Sequence, residues 1–158
     1  MTTIRAAGPD DGELLARLNQ FIQTFHLQQR PDHFRTTHLP ELAAWYRSLL
    51  EQPTTRAWIA HMDGAPVGYV LAICQQAPET PFTQPRAWLE IDQLAVDPDF
   101  RRQGIGRALV REAVSEAYAR GLERVEAASW SFNADTHEVF RRLGFAPKTV
   151  RFERLEKA

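Results

Sequence analysis

The sequence contains little cysteine and no long hydrophobic run. Cys74 is its single cysteine, which excludes an internal disulfide. The apolar run at residues 70–74, with no basic neighbour, favours a buried role for this thiol over a nucleophilic one. No stretch is long enough to cross a bilayer, and the first residues lack the apolar core of a signal peptide. We therefore expect no membrane partner and a cytoplasmic location.

Neither sign of charge predominates. The chain has 19 lysines and arginines against 20 aspartates and glutamates, for a net charge of -1. Because nucleic-acid binding usually needs a basic excess, no nucleic-acid partner is expected. No group of histidine, cysteine and aspartate has the spacing of a metal site, so no metal is expected either. The 158 residues, 44% of them hydrophobic, predict one globular domain over residues 1–158.

Hydrophobic periodicity and turn residues divide the chain into strands and helices. Strands are predicted over residues 2–6, 56–62, 66–74, 88–96, 125–130 and 150–155, and helices over residues 9–25, 40–50, 104–120 and 133–143. The three prolines within residues 75–86 predict a loop there. This order predicts an α/β fold with a mixed, partly antiparallel central sheet flanked by helices.

A loop rich in glycine and arginine lies between the predicted strand 88–96 and the predicted helix 104–120. It reads Arg-Arg-Gln-Gly-Ile-Gly-Arg over residues 101–107. The first N–H groups of a helix have no partner within the helix, and glycine lets a ligand approach the backbone, so the loop suits phosphate oxygens. A dinucleotide fingerprint would need a glycine where Leu109 stands, and a P-loop would need Gly-Lys-Ser/Thr. Neither of those two nucleotide sites is therefore expected.

Three segments in order carry a family resemblance. The pattern Arg-x-x-Gly-x-Gly, the preceding run at residues 94–100 and the stretch from Asn133 to Leu143-Gly144-Phe145 together resemble the GNAT superfamily of acyl-CoA-dependent N-acyltransferases. The resemblance spans roughly residues 87–145. It implies a GNAT-like sheet whose two central strands splay apart around acetyl-CoA.

The implied activity is direct transfer of an acetyl group from acetyl-CoA to a primary amine, on a small-molecule or amino-acid-like acceptor. A protein lysine or N-terminus is an alternative acceptor, and a non-catalytic CoA-binding sensor or interaction module is an alternative function. Exposed edge strands, which commonly pair between copies, make a homodimer a further expectation.

The resemblance also indicates which residues bind the cofactor. The loop would grip the pyrophosphate of coenzyme A, and the backbone of residues 94–96 would pair with its pantetheine arm and polarise the thioester. The expected cofactor-binding residues are Leu94, Ala95, Val96, Arg101, Arg102, Gln103, Gly104, Ile105, Gly106, Arg107, Asn133 and Phe140. For Asn133, a plain helix cap and a contact with the pantetheine arm both remain open.

Two carboxylates on the predicted strand 88–96 are the expected catalytic residues. Strand alternation predicts that Glu90, Asp92, Leu94 and Val96 share one face. By resemblance Glu90, eleven residues before Arg101, is a general base acting directly or through water. Asp92 is expected to bind the substrate cation or to share the role of base. A salt bridge with an arginine, or simple exposure, is the alternative for each.

Phe140 departs from the family pattern. Many members carry at this position a tyrosine whose hydroxyl faces the cofactor sulfur, whereas a phenyl ring can contact coenzyme A without donating a proton. The leaving thiolate would then be protonated by water, by the substrate ammonium or by another group. His137 is the nearest titratable candidate in sequence, with a solvent-facing helical histidine as the alternative.

Overall fold

The computed structural model describes residues 1–156 and shows a five-stranded sheet with helices on both faces. The strands are β1 (Thr2–Ala6), β2 (Thr55–Met62), β3 (Ala65–Ala77), β4 (Arg86–Val96) and β5 (Val125–Ala127), and the helices are α1 (Gly12–Gln29), α2 (Leu39–Leu50), α3 (Ile105–Ala119) and α4 (Ala134–Arg142). Short 3-10 turns at Pro9–Asp11 and Pro98–Phe100 precede α1 and follow β4. No helix in the described part combines the length and hydrophobicity needed to span a bilayer.

The strands lie in the order β1-β2-β3-β4-β5. Each pair from β1 to β4 is antiparallel, and β5 runs parallel to β4. The pairing of β4 with β5 covers only Leu89 to Ile91 on β4, so the two strands separate beyond Ile91. The predicted mixed α/β fold is thus confirmed, and β4 separates from its neighbour β5, which is the edge strand of the described sheet.

Two hydrophobic clusters hold the helices against the sheet. On one face, residues such as Leu89 and Ile91 of β4 pack with Leu109 of α3. On the other face, Tyr69 of β3 packs with Leu15 of α1 and with α2. All five of these side chains are almost completely buried. Burying one apolar face of each helix supplies the main stabilisation of such layers.

A β-bulge interrupts β4 at Asp92. Leu71 on β3 pairs with Gln93 and the next residue, Ala72, pairs with Ile91, so Asp92 has no partner on β3. One extra residue on a strand shifts the alternation of every side chain beyond it. Beyond the bulge, therefore, even-numbered residues take the face that odd-numbered residues occupy before it.

The bulge makes the predicted common face of Glu90, Asp92, Leu94 and Val96 wrong. Leu94 and Val96 pack against the α3 cluster together with Ile91. Glu90 pairs with Ile73, which belongs to the opposite, α1 and α2 side of the sheet. The two carboxylates and the two apolar residues were expected on one face because simple alternation takes no account of an inserted residue.

The predicted last strand, residues 150–155, does not form within the chain. Residues 146–156 have no regular secondary structure and are all exposed. The fifth strand is also shorter than expected, since it ends at Ala127 instead of continuing to Trp130. A strand needs a neighbour for its backbone hydrogen bonds, and β5 pairs with no second strand among the described residues.

Candidate active site

A cavity of about 660 Å³ opens where β4 separates from β5. Its volume lies within the range of small-molecule sites. It is bounded by α1, the end of β4, the loop before α3, and α4 with the residues preceding it. Among the residues predicted to bind the cofactor, Leu94, Ala95, Val96, Arg101, Arg102, Gly104, Ile105, Gly106, Arg107 and Asn133 line this cavity.

The N-terminus of α3 presents free amide groups to the cavity. Gly104 is its N-cap and has a left-handed φ of 82°, a conformation that costs glycine little. The first backbone bond of the helix runs from the Ala108 N–H to the Gly104 carbonyl, at 3.0 Å. Within residues 1–156, the N–H groups of residues 104–107 have no acceptor. Such amides, at the positive end of the helix dipole, favour an anionic ligand.

The arginines around this helix end differ in their partners. Arg101 lies 3.7 Å from Asp135, and Arg142 lies 2.7 Å from Glu138. Arg102 and Arg107 form no ion pair within the described chain, although both line the cavity. Arg102 also has a φ of 61°, which is unusual for a residue other than glycine. The loop therefore holds two available cations beside the free amides.

The end of β4 offers an unpaired backbone edge to the same cavity. The Asp97 N–H donates to the Val67 carbonyl at 2.8 Å, which directs the backbone groups of Asp97 toward β3. Because these directions alternate along an antiparallel pair, the N–H and C=O groups of Leu94 and Val96 point away from β3. Pairing with β5 ends at Ile91, so no strand in the described part of the chain covers them. An extended ligand with amide groups can therefore bond to this edge.

Two carboxylates, Glu90 and Glu126, lie on the face of the sheet that α1 and α2 cover. The Trp88 indole N–H donates to Glu90 at 2.9 Å, and Glu90 pairs in register with Glu126 of β5. One oxygen of Glu126 bonds the Lys148 ammonium, while the other is buried with no hydrogen-bond partner among residues 1–156. Glu90 forms no ion pair within the described chain, so the salt-bridge alternative for it finds no support. Like charges on adjacent strands repel each other and favour a cation between them.

A buried hydrogen-bond network lies beside the bulge. The Gln93 side-chain oxygen is 2.6 Å from the Tyr46 hydroxyl and 2.7 Å from the Tyr69 hydroxyl. The two hydroxyls are 2.9 Å apart, and the Asn19 amide donates to Tyr69 at 2.9 Å. The network fixes the backbone at the bulge by tying β4 to α1, α2 and β3. Polar groups in such a place are stabilising only when they are bonded.

The charge states around the bulge follow from desolvation. Burial raises the pKa of Tyr69 to about 12 and that of Tyr46 further above its ordinary value. The charge of Asp92 also raises the pKa of both tyrosines, so both hydroxyls remain protonated donors at neutral pH. Asp92 is exposed as a residue, yet partial desolvation of its carboxylate raises its own pKa.

Aromatic side chains close the α1 end of the cavity. They come from the last turns of α1, from the connection between α1 and α2, and from the segment after β5: Phe25, His26, His33, Phe34, Trp130 and Phe132. Phe25 and Phe132 line the cavity and meet edge to face, with ring centroids 5.5 Å apart. The Arg30 guanidinium lies 5.1 Å above the Trp130 ring. Burial lowers the pKa of His26.

Comparison with known proteins identifies the family. The sequence profile of the acetyltransferase (GNAT) family matches residues 18–145. The chain belongs to this GNAT family. It is 31% identical, over 149 residues, to a protein of Methanocaldococcus jannaschii that is named an uncharacterized N-acetyltransferase; the match covers 94% of this chain and 62% of that protein. The chain thus spans less than two thirds of the length of this relative.

Solved structures show the same GNAT fold. A point mutant of the BH1408 protein from Bacillus halodurans superposes with a TM-score of 0.91 at 23% identity, covering 98% of this chain and 99% of that one. The aminoglycoside N-acetyltransferase AAC(6')-Iy in complex with CoA superposes with a TM-score of 0.72 at 21% identity, covering 99% and 96%. At these identities the likeness establishes the fold.

Some residues expected in this GNAT site lie away from the cavity. Four of the predicted site residues do not belong to its lining, namely the expected catalytic residues Glu90 and Asp92 and the expected cofactor-binding residues Gln103 and Phe140. Phe140 instead packs against the α3 cluster, with its ring 5.2 Å from that of Phe145. His137 is half-buried on α4 and is likewise outside the lining. Asn133 is buried at the cavity wall, and its side-chain oxygen accepts from the Thr136 N–H at 3.4 Å, as a helix cap does.

Three features of this GNAT site are not among the residues predicted from the sequence. The orientation of Gln93 toward Tyr46 depends on the bulge, which is set by pairing with β3. The contact between Tyr46 and Tyr69 joins residues that are far apart in the sequence. Glu126 does carry a local signal, because an acidic residue in a short apolar segment often marks a site.

Proposed function

We propose that this chain is an acetyl-CoA-dependent N-acetyltransferase that acts on the primary amine of a small-molecule acceptor. The observation that carries the proposal is the cavity at the split between β4 and β5. There an unpaired strand edge at Leu94 and Val96 meets the free amides and unpaired arginines at the start of α3.

The residues present fit coenzyme A. Its pyrophosphate carries the negative charge that the amides of residues 104–107 and the side chains of Arg102 and Arg107 would bind. Its pantetheine arm carries amide groups that would pair with the backbone of Leu94 and Val96 as an added strand does. The thioester carbonyl would then lie near an N–H of this strand edge, which would polarise it.

The carboxylates on the face of the sheet covered by α1 and α2 can bind the second substrate, the primary amine that accepts the acetyl group. A primary amine is an ammonium ion at neutral pH and must lose a proton before its nitrogen can attack the thioester carbon. Glu90 and Glu126 would attract the ammonium, and Glu90 would accept the proton directly or through water. Asp92, at the bulge between Glu90 and the strand edge, would hold the cation or share in taking the proton.

The acetyl group can pass directly from acetyl-CoA to the amine, without a covalent enzyme intermediate. The amine nitrogen forms a bond to the carbonyl carbon, and the carbon–sulfur bond breaks as the thiolate leaves. The ammonium loses two protons on becoming an amide: the proton lost before the attack goes to Glu90, and the proton lost after it goes to solvent or to the thiolate, which takes up one proton. Because Phe140 has no acidic hydrogen and lies outside the cavity, we assign that last proton to water or to the acceptor ammonium.

A thiol-release assay tests this proposal. Acetyl-CoA would be incubated with the native chain and a panel of small amines, amino acids and peptides, and both free thiol and acetylated product would be measured. Glu90→Gln keeps the bond from Trp88 but removes the basicity, so turnover should fall by roughly 10²-fold or more while acetyl-CoA still binds. Glu123→Gln, an exposed carboxylate away from the cavity, is the matched control and should keep native turnover.

The outcomes separate the alternatives. Turnover with peptides alone would replace the small-molecule acceptor with a protein one. Tight binding of acetyl-CoA with no turnover across the panel would support a CoA-binding sensor in place of an enzyme. Native turnover by Glu90→Gln, measured below the pKa of the acceptor amine, would rule out the role assigned to Glu90.

A further inference from the structure

The ammonium group of Lys148 is bound next to the two carboxylates of the site. It contacts one oxygen of Glu126 on β5, and the Lys148 side chain is 54% exposed while that of Glu126 is 20% exposed. Lysine is rare in this chain, since Lys148 and Lys157 are its only two lysines. A primary ammonium group, which is the functional group expected of the acceptor, is thus already held beside the proposed base.

Glu126 and Glu90 together offer a place for one ammonium group. They are in register on adjacent strands, which lie about 5 Å apart, so their side chains leave the sheet side by side. Glu126 keeps one buried oxygen without a hydrogen-bond partner among residues 1–156, and Glu90 accepts from the Trp88 indole but forms no ion pair there. An ammonium group has three N–H donors and can bond two carboxylates at once. Lys148 therefore uses this place only in part.

The contact between Lys148 and Glu126 can open without unfolding a helix or a strand. Lys148 belongs to residues 146–156, which are exposed and whose backbone groups form no hydrogen bond within the described chain. A second contact holds the same segment, because Arg30 lies 2.9 Å from Glu153. An exposed ion pair contributes little free energy. Another ammonium ion can therefore replace Lys148 at Glu126 while the segment stays nearby.

We propose that Lys148 is a specificity-determining residue of the acceptor site, where its ammonium occupies the position of the acceptor ammonium. The inference rests on the proposed function, because it takes Glu90 as the base for that ammonium. An acceptor binds by replacing Lys148 at Glu126. This exchange favours amines that are cations at neutral pH, such as alkylamines, over amines that are neutral there. Lys148 acts as an internal competitor and raises the KM of each cationic acceptor.

Replacing Lys148 by an uncharged side chain of similar length tests the competition. Lys148→Met should lower the KM of the best alkylamine in the thiol-release panel by about two- to fivefold, the range of an exposed ion pair, without a comparable change in kcat. Arg154→Met is the matched control. It removes a positive charge from the same segment, where Arg154 pairs with Glu156, and should keep the native KM. Because both side chains are exposed, both variants should melt as the native chain does.

The effect of Lys148→Met should depend on Glu126. Glu126→Gln removes the carboxylate for which Lys148 and the acceptor compete, so its KM should rise. Adding Lys148→Met to this variant should lower the KM no further, whereas two independent residues would show the same fall in both backgrounds. An ion pair with a purely structural role would change stability without this dependence of KM on Glu126.

The exchange can also be observed without turnover. A chain made with lysine labelled at its ε-carbon gives one signal from each of its two lysines, and Lys148→Met assigns them by removing one. Replacing sodium chloride by butylammonium chloride at constant ionic strength should shift the Lys148 signal and leave the other unchanged. The same replacement should give no shift in Glu126→Gln. Constant ionic strength excludes a change in screening as the cause.

The outcomes distinguish this inference from the proposed function. A KM that Lys148→Met leaves unchanged, an equal fall of KM in Arg154→Met, or a Lys148 signal that butylammonium does not shift would overturn the inference. The absence of turnover with every amine would overturn the proposed function instead, and the lysine signals would still decide whether an ammonium ion replaces Lys148.

Discussion

Gly68 of β3 lies next to the end of β4, on the side opposite the strand edge that faces the cavity. It pairs with Val96, and a Cβ atom built on it would lie 2.6 Å from the Ala95 carbonyl oxygen and 3.3 Å from the Val96 Cα. The first distance is shorter than any normal contact, and both neighbours are backbone atoms. Gly68→Ala must therefore push Ala95 and Val96 toward the cavity or separate β3 from β4.

Gly68→Ala should lower both the stability of the chain and its affinity for acetyl-CoA. Overpacking of this kind lowers the free energy of unfolding by about 1–3 kcal/mol. For a chain of this length each kcal/mol lowers the melting temperature by roughly 2–4 °C. Because the displaced backbone is the edge proposed to bind the pantetheine arm, acetyl-CoA affinity should also fall by about tenfold or more, which is about 1.4 kcal/mol.

Gly12→Ala is the matched control for this prediction. A Cβ on Gly12 would lie 2.5 Å from the Ala43 carbonyl oxygen, an equally severe clash between α1 and α2 that involves no cavity residue. Thermal melts and calorimetric titration with acetyl-CoA would compare the two variants. Both should lose stability, but only Gly68→Ala should lose affinity. Native affinity in Gly68→Ala, or an equal loss in Gly12→Ala, would refute the role of this strand edge.

Four further predictions concern single side chains. Tyr46→Phe removes one of the two bonds to the Gln93 oxygen and should lower the free energy of unfolding by about 0.5–1.5 kcal/mol in denaturant titrations; native stability would contradict the network. Asp92→Asn should stabilise the chain above the raised folded-state pKa of Asp92 and lose that advantage as pH falls to the ordinary range of aspartate, because ionising this carboxylate costs more in the folded state; melts showing no pH-dependent difference would contradict this. Arg102→Ala should weaken acetyl-CoA binding more at low salt than at high salt, with a smaller loss for Arg101→Ala, whose guanidinium already faces Asp135; equal losses at all salt concentrations would argue against a charge contact. Phe140→Tyr should change turnover by less than about tenfold, since the ring packs in the core; activity gained only with the hydroxyl would refute direct transfer by the native chain.

Local features of the site were predictable from the sequence because they depend on neighbouring residues. The turn at Gly104 and the start of α3 follow from glycine spacing and helix periodicity, and they occur where predicted. The cap at Asn133 has the same local origin. Features of this kind place most of the loop residues in the cavity without knowledge of the rest of the fold.

Features set by pairing between distant segments were not predictable. The bulge at Asp92 arises from the register of β4 on β3, so alternation alone put Glu90 and Leu94 on one face. The strand at residues 150–155 was predicted from hydrophobic periodicity, but among residues 1–156 it has no neighbour to pair with. The position of Glu126 beside Glu90 depends on the register of β5 on β4, which no local pattern reveals.

The proposed function depends on binding of the acetyl-CoA phosphates by the free amides at the start of α3. Titration of acetyl-CoA into the isotope-labelled chain, followed by the backbone amide resonances, tests this binding. We predict that the largest shifts fall on residues 104–107 and on Leu94 and Val96, with residues of β1 unchanged. Saturable binding whose shifts fall elsewhere, or no shift at residues 104–107 at saturating acetyl-CoA, would contradict it.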